Sequence, residues 1–385
     1  MKRRNCNGFG VLTNILESVG VENMVNDSDD ESDDDSDSEH IVNWVQRAIS
    51  DAHAHAEGRE MTKVPATKRA KRMWKCRKKL PYSSSMFYRD FHNPSVQDLT
   101  HRDAKEFRGN YRMPWSEANK IVCLFVAKKW VVTQEECDRR RVAGQRVCPP
   151  EIKLLGIMYW MGEGCSFRTI YNLSGRVLTA MSFLSFAKRY TMVVAKYLAP
   201  KYIKIPQNVA ELKELSAQYT ARGFPGCVGS TDGVQIAWEG CPHAYRVSFT
   251  GKEKYPTLGF NVTVDHQLRV LHVCSMFAGR FNDKTKILYD DYVKKLRACY
   301  YHGFSYNLRD ERGVVTTHDI PYLICDGGYH RWLQTMSGYK TTNVEALALW
   351  TKKLESTRKD AERVFGVMKK RFKVNHMGEL YGLVF

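Results

Sequence analysis

The chain has 385 residues and a formal net charge of +17 at pH 7, and 43% of its residues are hydrophobic, which is ample for a core. Eleven cysteines, an odd number without a Cys-x-x-Cys pair, argue against a disulfide framework and a cysteine-rich zinc module and favour a reducing compartment. No apolar segment reaches 18 residues, so the sequence predicts neither secretion nor membrane insertion.

Residues 1–80 are predicted to form a disordered tail that is acidic first and basic afterwards. Residues 27–39 contain nine acids and no base, and taking these nine negative charges from the net +17 leaves +26 for the rest of the chain. A field of this sign favours a polyanionic partner, most economically nucleic acid.

A basic cluster closes the tail. Such runs are typical of nuclear-import signals or of arms that bind nucleic acid, although a solvated charge run without a receptor has the same composition. We predict a nuclear protein from it. The cluster consists of Lys68, Arg69, Lys71, Arg72, Lys75, Arg77, Lys78 and Lys79.

Residues 81–200 are predicted to be a helical region. Pro114 suits the first turn of one helix, and the string LLGIMYWMGEG ends on glycines, as a helix does. Two shorter helices around a turn at Gly175 then outline a helix-turn-helix-like segment, whose second helix ends in Lys188 and Arg189. These two residues are candidates for DNA contact, and a plain scaffold of two packed helices is the alternative.

Residues 201–385 are predicted to be an α/β domain. The strings CVGSTDGVQI, TLGFNVTVDH and RVLHVCSMFA are rich in β-branched and aromatic residues and predict three strands. One helix is expected over 283–303, with Gly303 as its stop, and PYLIC predicts a further strand. A last helix is expected over 350–372, where apolar residues recur at helical spacing. This order of strands and helices is typical of a layered α/β fold.

Three carboxylates stand out in this domain. Asp232 and Asp326 interrupt apolar strands, and Glu362 lies on the last helix. An acid in a buried strand is costly unless positive charge faces it, and a pair of Mg²⁺ or Mn²⁺ ions held by hard oxygen ligands would supply that charge. Alternatively, the two aspartates are turn residues before glycine, and Glu362 is a solvated acid paired with Arg358.

Four strings, in order, carry a resemblance: GSTDGVQI, FAGRFNDKTKIL, ICDGGYHRW and AERVFGVMKKRF. Over roughly residues 105–375 the chain resembles Harbinger-type (PIF) DDE transposases and the nucleases derived from them. The resemblance implies an RNase H-like DDE domain after the helical region. The family continues past the last helix with a motif that is missing before Phe385, so the resemblance predicts a truncated or decayed copy or a mis-predicted gene end.

The resemblance implies that Asp232, Asp326 and Glu362 are the catalytic metal ligands. Asp283 is either an accessory ligand or the N-cap of the helix that follows it, and we favour the cap because aspartate before a helical run is an ordinary cap. Basic residues after Glu362 are placed to hold phosphates, although a solvated face is equally consistent with them. They are Lys369, Lys370, Arg371 and Lys373.

The predicted function is a DNA endonuclease or transposase that depends on Mg²⁺ or Mn²⁺ and cleaves and joins phosphodiesters. The alternative is a DNA-binding or regulatory protein derived from a transposase that has lost cleavage, and an inert fragment is a third reading. The predicted partners are DNA and, as the resemblance implies, a separate Myb-like DNA-binding protein. The sequence also allows a homo-oligomer.

Overall fold

The structure is a computed structural model that describes residues 81–133, 135, 147–310 and 312–376. The predicted disordered tail, its acidic run and the basic cluster lie outside the described residues, as do residues 377–385. The described residues belong to one compact unit. Among them, none of the helices combines the length and the apolar character that crossing a bilayer requires.

The helical region contains the predicted helices. Pro114 is the residue before helix α3 (Trp115–Ala127). Gly164 ends helix α4 (Pro150–Glu163) in a left-handed conformation with φ of 59°, which glycine adopts without steric cost. Their apolar faces share one core around Phe87, Phe125 and Phe183. The helices are α1 Met86–His92, α2 Arg102–Tyr111, α3 Trp115–Ala127, α4 Pro150–Glu163, α5 Phe167–Leu173, α6 Ala180–Val193 and α7 Ala199–Tyr202, with a π-helical turn at Val194–Leu198 before α7.

Helices α5 and α6 flank the predicted turn. Ser166 and Thr179 cap them by accepting the backbone N–H of Thr169 and Ser182, respectively. Gly175 in the turn has φ of 63°, and a Cβ there would overlap Ser84. The structure thus has two helices around the turn at Gly175, while the helix-turn-helix-like role of this segment and its contact with DNA stay predictions.

The α/β region is built on one mixed sheet of six strands. Their order is β3 (Val270–Val273), β2 (Thr257–Val264), β1 (Cys227–Ala237), β7 (Tyr322–Ile324) and β8 (Thr335–Met336), with β4 (Phe277–Ala278) also paired to β2. Strand β1 is antiparallel to β2 and parallel to β7, so it lies at the centre of the sheet. The strands are β1 Cys227–Ala237, β2 Thr257–Val264, β3 Val270–Val273, β4 Phe277–Ala278, β5 Tyr306–Arg309, β6 Val315–His318, β7 Tyr322–Ile324 and β8 Thr335–Met336. The helices are α8 Val209–Thr220, α9 Arg246–Phe249, α10 Asp283–Leu288, α11 Asp291–Arg297 and α12 Glu345–Arg371.

Side chains alternate between the two faces of the sheet. On one face, Val228 of β1 and Leu323 of β7 pack with apolar residues of α8, α10 and α11. On the other face, Cys227 and Ile324 pack with Leu354 of α12. Because successive strand residues point to opposite faces, the apolar runs of β1 and β7 are covered on both sides.

One expectation for this region is wrong. The single helix over 283–303 is two helices, because Asp290 lies between them and caps α11 by accepting the backbone N–H groups of Tyr292 and Val293. Because these two N–H groups donate to the Asp290 side chain, they do not donate to the backbone carbonyls of the preceding turn, and a continuous helix is interrupted there. The sequence analysis also missed the exposed hairpin of β5 and β6.

The packing of α12 on the sheet makes a test of stability possible. Leu354 is fully buried against the sheet, whereas Leu349 on the same helix is 60% exposed. We expect Leu354→Ala to lower the free energy of unfolding by about 2–5 kcal/mol, because it leaves a cavity in the core. Leu349→Ala should change it by less than about 0.5 kcal/mol. Urea denaturation of both variants checks this, and equal effects would contradict the packing described.

Candidate active site

The parallel pairing of β1 with β7 ends two residues before each of two predicted acids. Ser230 of β1 pairs with Ile324 of β7. Asp232 lies two residues after Ser230, and Asp326 lies two residues after Ile324. Asp232 is still within β1, whereas Asp326 lies two residues beyond the end of β7, so the parallel register puts both acids toward the same end of this strand pair. Asp326 is exposed and begins a turn through two glycines, in which its carbonyl accepts the Tyr329 N–H at 3.2 Å.

Arg358 of α12 joins Asp232 to the third predicted acid. Its guanidinium lies 3.3 Å from Asp232 Oδ2, 2.9 Å from Glu362 Oε1 and 2.9 Å from Glu355 Oε2. Glu362 is 46% exposed, while Arg358 is only 13% exposed. The Arg358–Glu362 pair expected for a solvated helix acid is present, but the same guanidinium also reaches the central strand. We call Asp232, Glu355, Glu362 and Arg358 the acid–arginine cluster.

Burial and the charges of the cluster together shift the pKa of two members. Burial raises the pKa of Asp232 to about 6, although Arg358 and the Gly233 N–H oppose this, and the charges of Asp283 and Glu362 raise it further. Burial alone would lower the pKa of Arg358, but the hydrogen bond and charge of Glu355, with the charges of Asp232 and Glu362, outweigh it and raise that pKa.

Asp283 does not have the capping role that we favoured for it. Asn282 is the N-cap of α10, and its side chain accepts the Thr285 N–H, so Asp283 is already the first helical residue. Its carboxylate accepts from Lys286 Nζ at 2.8 Å, and Lys286 is almost fully buried. A Cβ on Gly233 would come within 2.5 Å of Asp283 Oδ1, so this carboxylate lies against β1 directly after Asp232. Its role as an accessory ligand stays a prediction.

A buried polar network, which was not predicted from the sequence, holds the turn that follows Asp326. Tyr329 donates from its hydroxyl to Asn261 Oδ1 at 2.7 Å, and the Asn261 amide donates to Asp290 Oδ2 and Thr231 Oγ1. Tyr329 thereby fastens the turn after Asp326 to strands β1 and β2. The only sequence signal was a tyrosine three residues after Asp326, which has no distinguishing pattern by itself.

The donor chemistry of the cluster fits a hard divalent cation, because several carboxylate oxygens converge on one positive charge. In this structure the converging charge is the guanidinium of Arg358. Within the residues that the structure describes, no three Asp, Glu, His or Cys side chains stand close enough together to hold a metal ion.

The basic residues at the end of α12 fall into two pairs. Lys369 and Lys370 are exposed. Arg371 donates to the Arg112 carbonyl, and Lys373 forms an ion pair with Glu163 at 2.8 Å, so both are used within the fold. The other two DNA-contact candidates, Lys188 and Arg189, are exposed on α6.

Residues 200–381 match a family model described as plant transposon protein. The match supports a transposase-related family. It covers all four predicted acids and α12, while the helical region lies almost entirely before it. No curated protein and no solved structure gave a match. The Harbinger-type assignment within this broader group stays a prediction.

The raised pKa of Asp232 predicts a pH dependence of stability in metal-free buffer. Because the pKa in the folded protein, about 6, exceeds the ordinary 3.8, the folded state binds a proton that the unfolded state has released between these values. The stabilising contribution is complete below pH 3.8 and is lost as the pH rises through 6. We expect wild type, relative to Asp232→Asn, to lose up to about 3 kcal/mol of unfolding free energy across this window. If urea denaturation gives the same pH dependence of the unfolding free energy for both proteins from pH 4 to 7, the prediction is contradicted.

Proposed function

We propose that this protein is a metal-dependent DNA endonuclease or transposase with an RNase H-like DDE site. The observation that carries the proposal is the position of three acids: Asp232 on the central strand β1, Asp326 just beyond the end of its parallel neighbour β7, and Glu362 on α12, joined to Asp232 through Arg358. Three antiparallel strands followed by two parallel ones around an acid-bearing central strand support the RNase H-like fold. The family match to a transposon protein supports a DNA substrate.

The residues divide the work of phosphodiester cleavage. Asp232 lies on the central strand, Asp326 follows the end of the neighbouring parallel strand, and Glu362 shares the guanidinium of Arg358 with Asp232. A divalent metal pair held by them would activate the attacking water or 3′-hydroxyl and stabilise the leaving oxygen. Asp283 faces the same stretch of β1, and its pairing with the buried Lys286 fixes its carboxylate in place. Tyr329 and Asn261 hold the Asp326 turn in position.

Binding without cleavage is the second candidate function. The observation that favours it is the guanidinium of Arg358 between Asp232 and Glu362, an arrangement that is stable without metal. Exposed Lys369 and Lys370 serve DNA binding in either case. The nuclear location and the Myb-like partner belong to both candidates.

A nicking assay separates the two candidates. The full chain should convert supercoiled DNA to open circles with Mg²⁺ or Mn²⁺ and not with EDTA. Asp232→Asn, Asp326→Asn and Glu362→Gln should each lower the rate by at least about a hundredfold, because each loses the charge that holds metal. Asp291→Asn is the matched control, since Asp291 is 74% exposed on α11 and paired with Lys294, and it should retain full activity. Metal-dependent nicking that survives in Asp232→Asn would rule out the assigned site.

DNA binding is expected to depend on the exposed end of α12. Replacing Lys369 and Lys370 by alanine should weaken binding to duplex DNA and reduce the slope of log K against log salt by about two, because two phosphate contacts are lost. Lys213→Ala with Lys352→Ala removes the same charge from other exposed positions and controls for net charge. Fluorescence anisotropy at several salt concentrations measures both, and an equal change in the two double variants would show that only overall charge matters.

A further inference from the structure

Arg358 is the least expected member of the acid–arginine cluster. A cation fixed between two predicted metal ligands occupies the charge position that the metal would need. Its three nitrogens contact three different carboxylates, of Asp232, Glu355 and Glu362, at 2.9 to 3.3 Å. The guanidinium is 13% exposed and Asp232 is 18% exposed, so water screens this contact less than a surface pair, whereas Glu355 and Glu362 are 37% and 46% exposed.

The backbone around Arg358 is held independently of the guanidinium. Ser230 of β1 donates from its hydroxyl to the Arg358 carbonyl oxygen at 3.0 Å, and Leu354, one turn earlier, is buried against the sheet. Helix α12 therefore stays in place when the side chain moves. Glu355, one turn before Arg358 and two turns before Glu362 on the same helix face, accepts from Nε of Arg358 and offers a resting contact that involves neither Asp232 nor Glu362.

We propose that Arg358 is a built-in substitute for the metal: its guanidinium and a divalent cation bind Asp232 and Glu362 in mutually exclusive states. Without metal, the guanidinium neutralises the acids and keeps the site assembled. When metal binds, Arg358 gives up these two carboxylates and keeps its contact with Glu355. The inference rests on the proposed function, because it concerns the same metal site.

The test is Mn²⁺ binding by the full chain, measured by isothermal titration calorimetry, together with melting temperature in EDTA. Arg358→Gln removes the competing charge, so we expect its Kd for Mn²⁺ to fall roughly tenfold or more, while its melting temperature in EDTA falls because the acids lose their partner. Arg358→Lys keeps the charge, and its Kd should stay within about threefold of wild type.

Arg363→Gln is the matched control. Arg363 lies on the same helix and pairs with the fully buried Asp360 at 2.7 Å, outside the acid–arginine cluster. Its loss should lower the melting temperature but leave the Kd for Mn²⁺ unchanged, which separates destabilisation from competition. Should Arg358→Gln not fold in EDTA, the inference requires that Mn²⁺ restore its folding, and failure in both conditions overturns it.

The outcomes for the inference and for the proposed function differ. If Asp232→Asn abolishes the Mn²⁺ binding of the wild type, but Arg358→Gln binds Mn²⁺ no more tightly than the wild type does, only the proposed exchange is overturned. Mn²⁺ binding that Asp232→Asn leaves intact, or no binding by wild type and Arg358→Gln alike, overturns the proposed site as well. A fall of both the Kd for Mn²⁺ and the melting temperature in EDTA, in Arg358→Gln alone, supports the exchange.

Discussion

The arrangement of the site depends on one guanidinium among carboxylates. Asp232 lies on the central strand of the sheet and is only 18% exposed, so its charge is costly without a cation nearby. Arg358 supplies that cation from α12, and the same helix presents Glu362 and Glu355 to it. The ion pairs therefore connect the sheet to the helix that covers it, at the place where the predicted acids meet.

A second constraint lies beneath the acids. Asp290, Asn261 and Thr231 are completely buried, and each has hydrogen-bonding partners within the network that Tyr329 completes. Low local polarity makes such a network costly when one member is removed, since the remaining groups lose partners that water cannot replace. The turn that presents Asp326 is thus fixed by a buried tyrosine, although Asp326 itself is exposed.

The end of α12 links the α/β region to the helical region. Lys373 pairs with Glu163 of α4, Arg371 reaches the Arg112 carbonyl after α2, and Val374 is buried in the helical core. Basic residues that look equivalent in the string VMKKRFK therefore have different environments. Two are anchors between regions, and two are free to meet an anion.

Sequence alone determined the type of most helices and strands, because glycine stops, capping residues and β-branched runs act over a few neighbours. It also singled out Asp232, Asp326 and Glu362. Local reasoning failed at Asn282 and Asp290, where adjacent polar residues compete for the same cap and the winner depends on how the helix packs. Only the tertiary structure decided that β1 and β7 are parallel neighbours and that Arg358 lies between Asp232 and Glu362. Strand register and contacts across more than a hundred residues set these distances, and no short-range pattern in the chain encodes them.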